Sequence, residues 1–256
     1  MGVLNVTPDS FFDGGRWFDH EAAVARGLEM VAQGADVIDV GGESTRPGAA
    51  SVDQAEELRR VVPVVAALAP RVRVSVDTRK AAVADAAVAA GATLINDVSA
   101  SLWPVAAATG AGWVAMHMRG EPSTMQVEPR YDDVVAEVCQ YLTSRVDTAA
   151  SAGVEEIWVD PGIGFGKTMT HNLQLLRQLD RVAAIGRPLL VGTSRKTFLG
   201  RLASGPGHEP APVEQRLAGS LASAVWAMAH GAAMVRVHDV AETVQAARLM
   251  SETAAA

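Results

Sequence analysis

Residues 2–10, GVLNVTPDS, form an apolar run that stops near Asn5 and passes at once into turn-forming residues. A first strand that fed a dinucleotide-binding turn would carry G-x-G-x-x-G at this point, and this stretch does not. The missing fingerprint steers the reading away from an open doubly wound sheet and towards a closed one, provided that the same unit of strand and polar junction recurs along the chain.

It does recur. Further apolar runs are ADVIDV to Val40, VRVSVD to Asp77, TLINDV to Val98, GWVAMH to His117, EIWVD to Asp160, PLLVGTS to Ser194 and AMVRVHD to Asp239, eight in all with the first. Helical patterns fall between them, at His20 to Gln33, Asp53 to Ala69, Arg79 to Ala90, Leu102 to Thr109, Tyr131 to Ala152, His171 to Ala184, Pro212 to His230 and Val240 to Glu252. Strand alternating with helix means parallel pairing, and eight such units in 256 residues predict one α/β domain over 1–256, a (βα)8 TIM barrel. The Gly/Pro-rich SGPGHEPAPV, Ser204 to Val213, reads as a long loop after strand seven rather than an interdomain linker.

Composition narrows the function. With 22 Lys and Arg against 29 Asp and Glu the net charge is -7, which disfavours a nucleic-acid surface, so any bound anion must meet local cations. The single cysteine, Cys139, lies in a helical pattern and suits a reducing compartment; with no basic region and apolar run at the start, a cytoplasmic location is expected. The most apolar segment, residues 217–237, breaks at His230-Gly231 and changes period there, so no membrane span is expected. The pattern from Glu214 to His230 is apolar almost all round, which predicts a homodimer built on this outer helix.

In a barrel of this kind the chemistry gathers at the C-terminal ends of the strands. Alternation places Arg236 and His238 on one side, Asp77 with small Ser75, and either Asn96 or Asp97 inward; Asn96 is chosen because its face also carries Leu94. Asp77, Asn96 and Asp160 are acceptors and amides suited to a flat heterocycle bearing N–H groups. Arg46, Lys196, Arg236 and His238 suit phosphate, with Asn5 as a neutral oxygen donor to a hard metal ion. His117 reads as a satisfied rim histidine. Phe11 and Phe12 sit among Pro8, Asp9, Ser10, Asp13, Gly14 and Gly15, where loop chemistry excludes a strand core and leaves a lid to be explained.

The junctions GVLNVTPDSF, DVGGESTRPG, SVDTRK, INDVS, MHMRGEPSTMQ, DPGIGFGKT with HN, VGTSRKTFLG and RVHDV, in this order and over nearly the whole chain, resemble the dihydropteroate synthases, the sulfonamide-inhibited transferases of folate synthesis. The resemblance implies that 6-hydroxymethyl-7,8-dihydropterin diphosphate and p-aminobenzoate are joined with release of pyrophosphate. It implies that Asp77, Asn96 and Asp160 hold the pterin with Lys196 nearby, and that Thr45, Arg236 and His238 meet the diphosphate while Asn5 coordinates Mg²⁺ with it. Phe11, Arg46 and Pro47 would then close over the aminobenzoate ring, and Thr197 would receive its carboxylate. Phe12 stands where the family commonly has Ser, and Ile163 where some members have Phe, so the aminobenzoate wall is expected to differ in shape. The chain starts inside its first strand, so the segment that usually precedes it and covers the barrel bottom is expected to be absent. A pterin-dependent methyltransferase on the same barrel would need the ring pocket without Lys196, Arg236 and Arg46, and a non-catalytic pterin-binding paralogue would share the pocket as well.

Overall fold

The computed structural model describes residues 1–7, 20–44, 51–122 and 124–255. Strands β1 (Gly2–Asn5), β2 (Val37–Gly41), β3 (Arg73–Asp77), β4 (Leu94–Asp97), β5 (Gly112–Met116), β6 (Ile157–Asp160), β7 (Leu189–Val191) and β8 (Ala232–Val235) pair in parallel in chain order. A bridge between Gly2 and Val237 joins the two ends, with Val3 N donating to Val237 O at 2.9 Å and Val237 N to Met1 O at 2.9 Å. The expected barrel is therefore closed.

Its helices are α1 (His20–Ala32), α2 (Gln54–Leu68), α3 (Ala81–Ala89), α4 (Trp103–Thr109), α5 (Val134–Ser151), α6 (Met169–Arg177), α7 (Leu179–Ala183), α8 (Thr197–Ser204), α9 (Leu217–Ala229) and α10 (Val240–Ala255). Three differ from the sequence reading. The pattern from His171 divides at Gln178 into α6 and α7, the one from Pro212 opens with a 3₁₀ turn before α9, and α8 is a short helix outside the eight helical patterns. Among the described residues no helix is long and apolar enough to cross a membrane.

Period-two alternation sorts the strand side chains into two cores. Val37, Leu94, Val114 and Leu190 point inward and pack with Met1, Trp158 and Met234 to plug the barrel. Their neighbours Ile38, Ile95, Trp113, Ile157 and Leu189 point outward and join the larger core beneath the helices. At the mouth, Asn5, Gly41, Asp77 and Asn96 lie side by side in register across β1 to β4, and Asp39 and Ser75 form part of the tier below.

Alternation also decides between the neighbours Asn96 and Asp97. Asn96 faces the interior, while Asp97 faces outward and caps the chain entering α4 by accepting from the backbone N–H groups of Ser99 (2.9 Å), Ser101 (2.7 Å) and Leu102 (2.6 Å). It also accepts from Trp113 Nε1 at 3.1 Å. With the Ser99 hydroxyl, which also donates to it at 2.5 Å, this buried acceptor serves five donors, so Asp97→Ala is expected to lower stability by roughly 3 kcal/mol, read as a shift of the urea midpoint.

Candidate active site

The residue that organises the mouth follows β8. Arg236 reaches back across the barrel seam, where Nε donates to Asp39 Oδ2 at 2.6 Å and Nη2 donates to Asp77 Oδ2 at 2.6 Å. Asp39 is fully buried, and the same Oδ2 accepts from Asn96 Nδ2 at 2.9 Å. Among the described residues, Asp39 Oδ1, Asp77 Oδ1 and Ser75 Oγ are buried without a hydrogen-bond partner, which leaves unused acceptors in the polar floor of the mouth. Burial raises the Asp77 carboxyl to about 7; Arg236 opposes the shift, while Asp39, Glu57 and Asp97 add to it. The two flanking carboxylates outweigh the burial of Arg236 and hold its guanidinium firmly charged.

Across the mouth stands the β6 side. Asp160 Oδ1 accepts from Gly162 N at 2.7 Å, and burial raises the Asp160 carboxyl against the opposing charge of Lys196. Lys196 donates to Ile163 O and lies 4.7 Å over the Phe165 ring. Burial pulls Lys196 down to about 8, with Asp160 resisting, so the amine is mainly protonated at neutral pH. The preceding Arg195 has φ of 60°, a left-handed conformation strained for a side chain with a Cβ. It is held there by Ser220 Oγ on its N–H (2.9 Å), by Arg216 on its carbonyl (2.9 Å) and by its ion pair with Asp239. His238 is tied to Ser194, whose Oγ lies 3.0 Å from Nδ1 and accepts from the His238 N–H at 3.1 Å.

The loop after β6 is fixed from within. Lys167 is 2 % exposed, and its amine donates to the carbonyls of His117 (3.2 Å), Gly162 (3.0 Å) and Phe165 (3.0 Å) while contacting His117 Nδ1 at 2.9 Å. Gly162 (φ 65°) and Gly166 (φ 61°) allow this wrap, since a Cβ at either would run into the carbonyl of His117 or Arg119. His117 is buried against Tyr141, ring centroids 5.0 Å apart. Burial and the nearby Lys167 lower its imidazole to about 3, so it is neutral and structural.

The structure thus brings Asp77, Asn96, Asp160, Lys196 and Arg236 to one mouth. Ser194 tethers His238 at the same rim, Thr197 is exposed as the first residue of α8, and Asn5 lies at the end of β1. Ile163 does not shape the opening with its side chain, which is fully buried in the outer core; only its carbonyl faces Lys196. That corrects the expectation of a wall residue, and the cause is the turn after Asp160, which points the side chain away. Phe11, Phe12, Thr45, Arg46 and Pro47 lie outside the described residues. Asp39, Phe165, Lys167 and Ser194 were not foreseen. Alternation in VIDV would have put Asp39 on the inner face with Val37, whereas nothing in the sequence marks Lys167.

The profile of the family described as "Pterin binding enzyme" matches residues 1–238. Dihydropteroate synthase of Escherichia coli K12 is 48% identical over 265 residues, covering 100% of this chain and 92% of its own. The Xanthomonas albilineans dihydropteroate synthase solved with 4-aminobenzoic acid is 46% identical with a TM-score of 0.92, covering 100% of this chain and 92% of its own. The Yersinia pestis enzyme solved with a sulfonamide drug is 46% identical with a TM-score of 0.91, covering 100% and 94%. The chain belongs to the pterin binding enzymes and, within them, to the dihydropteroate synthases. It is a transferase of folate biosynthesis.

The buried imidazole has a consequence for acid stability. An unfolded histidine takes up a proton near pH 6.5, whereas folded His117 refuses it until about 3, so its contribution is lost as pH falls through that window. Asp77 contributes in the opposite sense: its stabilisation is full below its unfolded value of 3.8 and is lost as pH rises through about 7. Comparing wild type with His117→Gln cancels the Asp77 part. Between pH 6 and 4 the wild type is expected to lose up to about 1.4 kcal/mol more per pH unit than the variant, measured by urea unfolding.

Proposed function

We propose that this chain condenses 6-hydroxymethyl-7,8-dihydropterin diphosphate with p-aminobenzoate to give 7,8-dihydropteroate and pyrophosphate. The observation that carries the reading is the shared footing of Asn96 and Arg236 on Asp39, with Asp77 on the same guanidinium. One mouth thereby holds acceptors for a flat N–H-bearing ring and a cation for a leaving diphosphate. The relatives' aminobenzoate and sulfonamide complexes support an aromatic-amine subsite and a sulfonamide-sensitive reaction here.

In this reading Asp77, Asn96 and Asp160 receive the pterin edge, and the Phe165 ring beneath Lys196 supplies an apolar face. Arg236, Lys196 and His238, with Thr45 and Arg46, hold the diphosphate. The methylene C–O bond breaks with its electron pair leaving on the diphosphate, whose charge these cations stabilise. The neutral amine of p-aminobenzoate forms the new C–N bond and sheds a proton to solvent. No side-chain nucleophile is needed, so orientation carries most of the acceleration. Phe11, Arg46 and Pro47 close over the aromatic ring and exclude water, while Thr197 at the start of α8 offers its hydroxyl to the carboxylate.

The donors suit Mg²⁺. The Asn5 carboxamide has no hydrogen-bond partner among the described residues, and those residues hold no group of three or more His, Cys, Asp or Glu able to cage a metal. Asn5 would therefore hold an ion whose remaining ligands are diphosphate oxygens and water. When bound, the ion would add positive charge against the departing diphosphate. The single cysteine and soluble small-molecule substrates favour a cytoplasmic enzyme with no nucleic-acid or membrane partner.

Supplying both substrates with Mg²⁺ and measuring pyrophosphate and dihydropteroate tests the reading. Lys196→Ala and Arg236→Ala are each expected to reduce kcat/KM by at least about a thousandfold, and wild-type rates in both would overturn the assignment.

We also propose a homodimer. On α9, Leu217, Ala218, Ala222, Trp226 and Ala229 are exposed, and Trp226 lines a groove of about 420 Å³ with Leu173, Leu176, Arg177 and Ser223. The indole is fixed by its Nε1 bond to Leu176 O at 2.8 Å and by stacking on His230. An apolar patch of this kind beside polar neighbours marks an interface. Sedimentation at micromolar concentration is expected to give a dimer for the wild type and a monomer for Trp226→Asp.

A further inference from the structure

The tier below the mouth contains a carboxylate that does not reach the surface and holds two of the strand-end side chains from beneath. Asp39 is fully buried, yet a single oxygen of it takes Asn96 Nδ2 at 2.9 Å and Arg236 Nε at 2.6 Å. A carboxylate accepts and never donates, so this bond fixes the Asn96 amide with its nitrogen towards β2 and leaves Oδ1 to face a ligand N–H. The Arg236 fork is held in the same way by Nε and Nη2, which leaves Nη1 without a partner among the described residues and available to an anion.

We infer that Asp39 is a positioning residue that couples recognition of the pterin ring to capture of the diphosphate, by holding Asn96 and Arg236 on one oxygen. The inference rests on the proposed reaction. Its effect is directional. Loss of the Asp39 charge frees the Asn96 amide to rotate and lets Arg236 turn wholly onto Asp77, so both halves of one substrate are disturbed while the aromatic-amine side is untouched.

A second consequence distinguishes this role from simple support of the fold. The charges facing Asp77 are Arg236 after β8, Asp39 on β2, Glu57 on α2, Asp97 on β4 and Lys196 after β7; the Met1 ammonium on the β1 side faces Asp39. Removing the Asp39 charge deletes one repulsion and strengthens the Arg236 pair, so Asp77 ionises at lower pH.

The test is Asp39→Asn, close in shape to the native residue, in the full chain with both substrates and Mg²⁺. The expected result is a KM for the pterin diphosphate raised about tenfold or more, with the KM for p-aminobenzoate unchanged within about twofold. The acid limb of kcat/KM for the pterin substrate moves to lower pH. Should this variant not fold, as judged by its melting transition, Asp39→Ser carries the same measurements. An unchanged pterin KM with an unmoved acid limb, or equal losses for both substrates, overturns the role. Inactive wild-type protein in the same assay overturns the proposed reaction instead, and this role with it.

Discussion

The mouth of this barrel depends on one guanidinium shared between two buried carboxylates. Arg236 comes from the last strand junction and Asp39 and Asp77 from the second and third strands, so the ion bridge spans the place where the two ends of the sheet meet. Bringing three charges out of water is costly unless each finds its partners, and here the geometry supplies them at 2.6 Å on both sides. The arrangement makes little sense as a source of stability alone, because an apolar filling would serve a barrel interior as well. It makes sense as a charge held ready.

Burial then assigns different states to chemically similar groups around that bridge. Lys196 is drawn down only to about 8, because Asp160 stands near it, and it keeps its proton for an anion. His117 has Lys167 rather than a carboxylate beside it and is driven to about 3, out of proton chemistry altogether. Asp97 and Asn96 are adjacent in sequence, yet one serves the helix layer and the other the cavity, solely through the alternation of the strand. The site is thus a product of sheet parity and of which charge each side chain meets in the interior.

That parity is why so much was readable from the chain. Asp77, Asn96 and Asp160 close apolar runs, and residues that interrupt a strand's hydrophobicity at its C-terminal end stand out. Asp39 lies inside VIDV, one tier below the end, where a search of strand termini passes over it. Lys167 is hidden for another reason: its partner His117 is 50 residues away, and the meaning of a lysine in a glycine-rich loop depends on which carbonyls it reaches. α8 stands outside the eight helical patterns because a helix of 8 residues directly after TSRK has too few turns to show a period. The break at Gln178 lacks the Pro or Gly that would announce it.

The lysine knot beneath the loop after β6 also bears on how such an enzyme can change over evolutionary time. With three carbonyls and an imidazole gathered on one amine, the segment from Gly162 to Lys167 has no slack, and adding or deleting a residue would scatter the knot. Diversification of this wall is therefore confined to exchanging side chains on a track of constant length, and lineages under inhibitor pressure must find their new shapes by substitution there rather than by insertion.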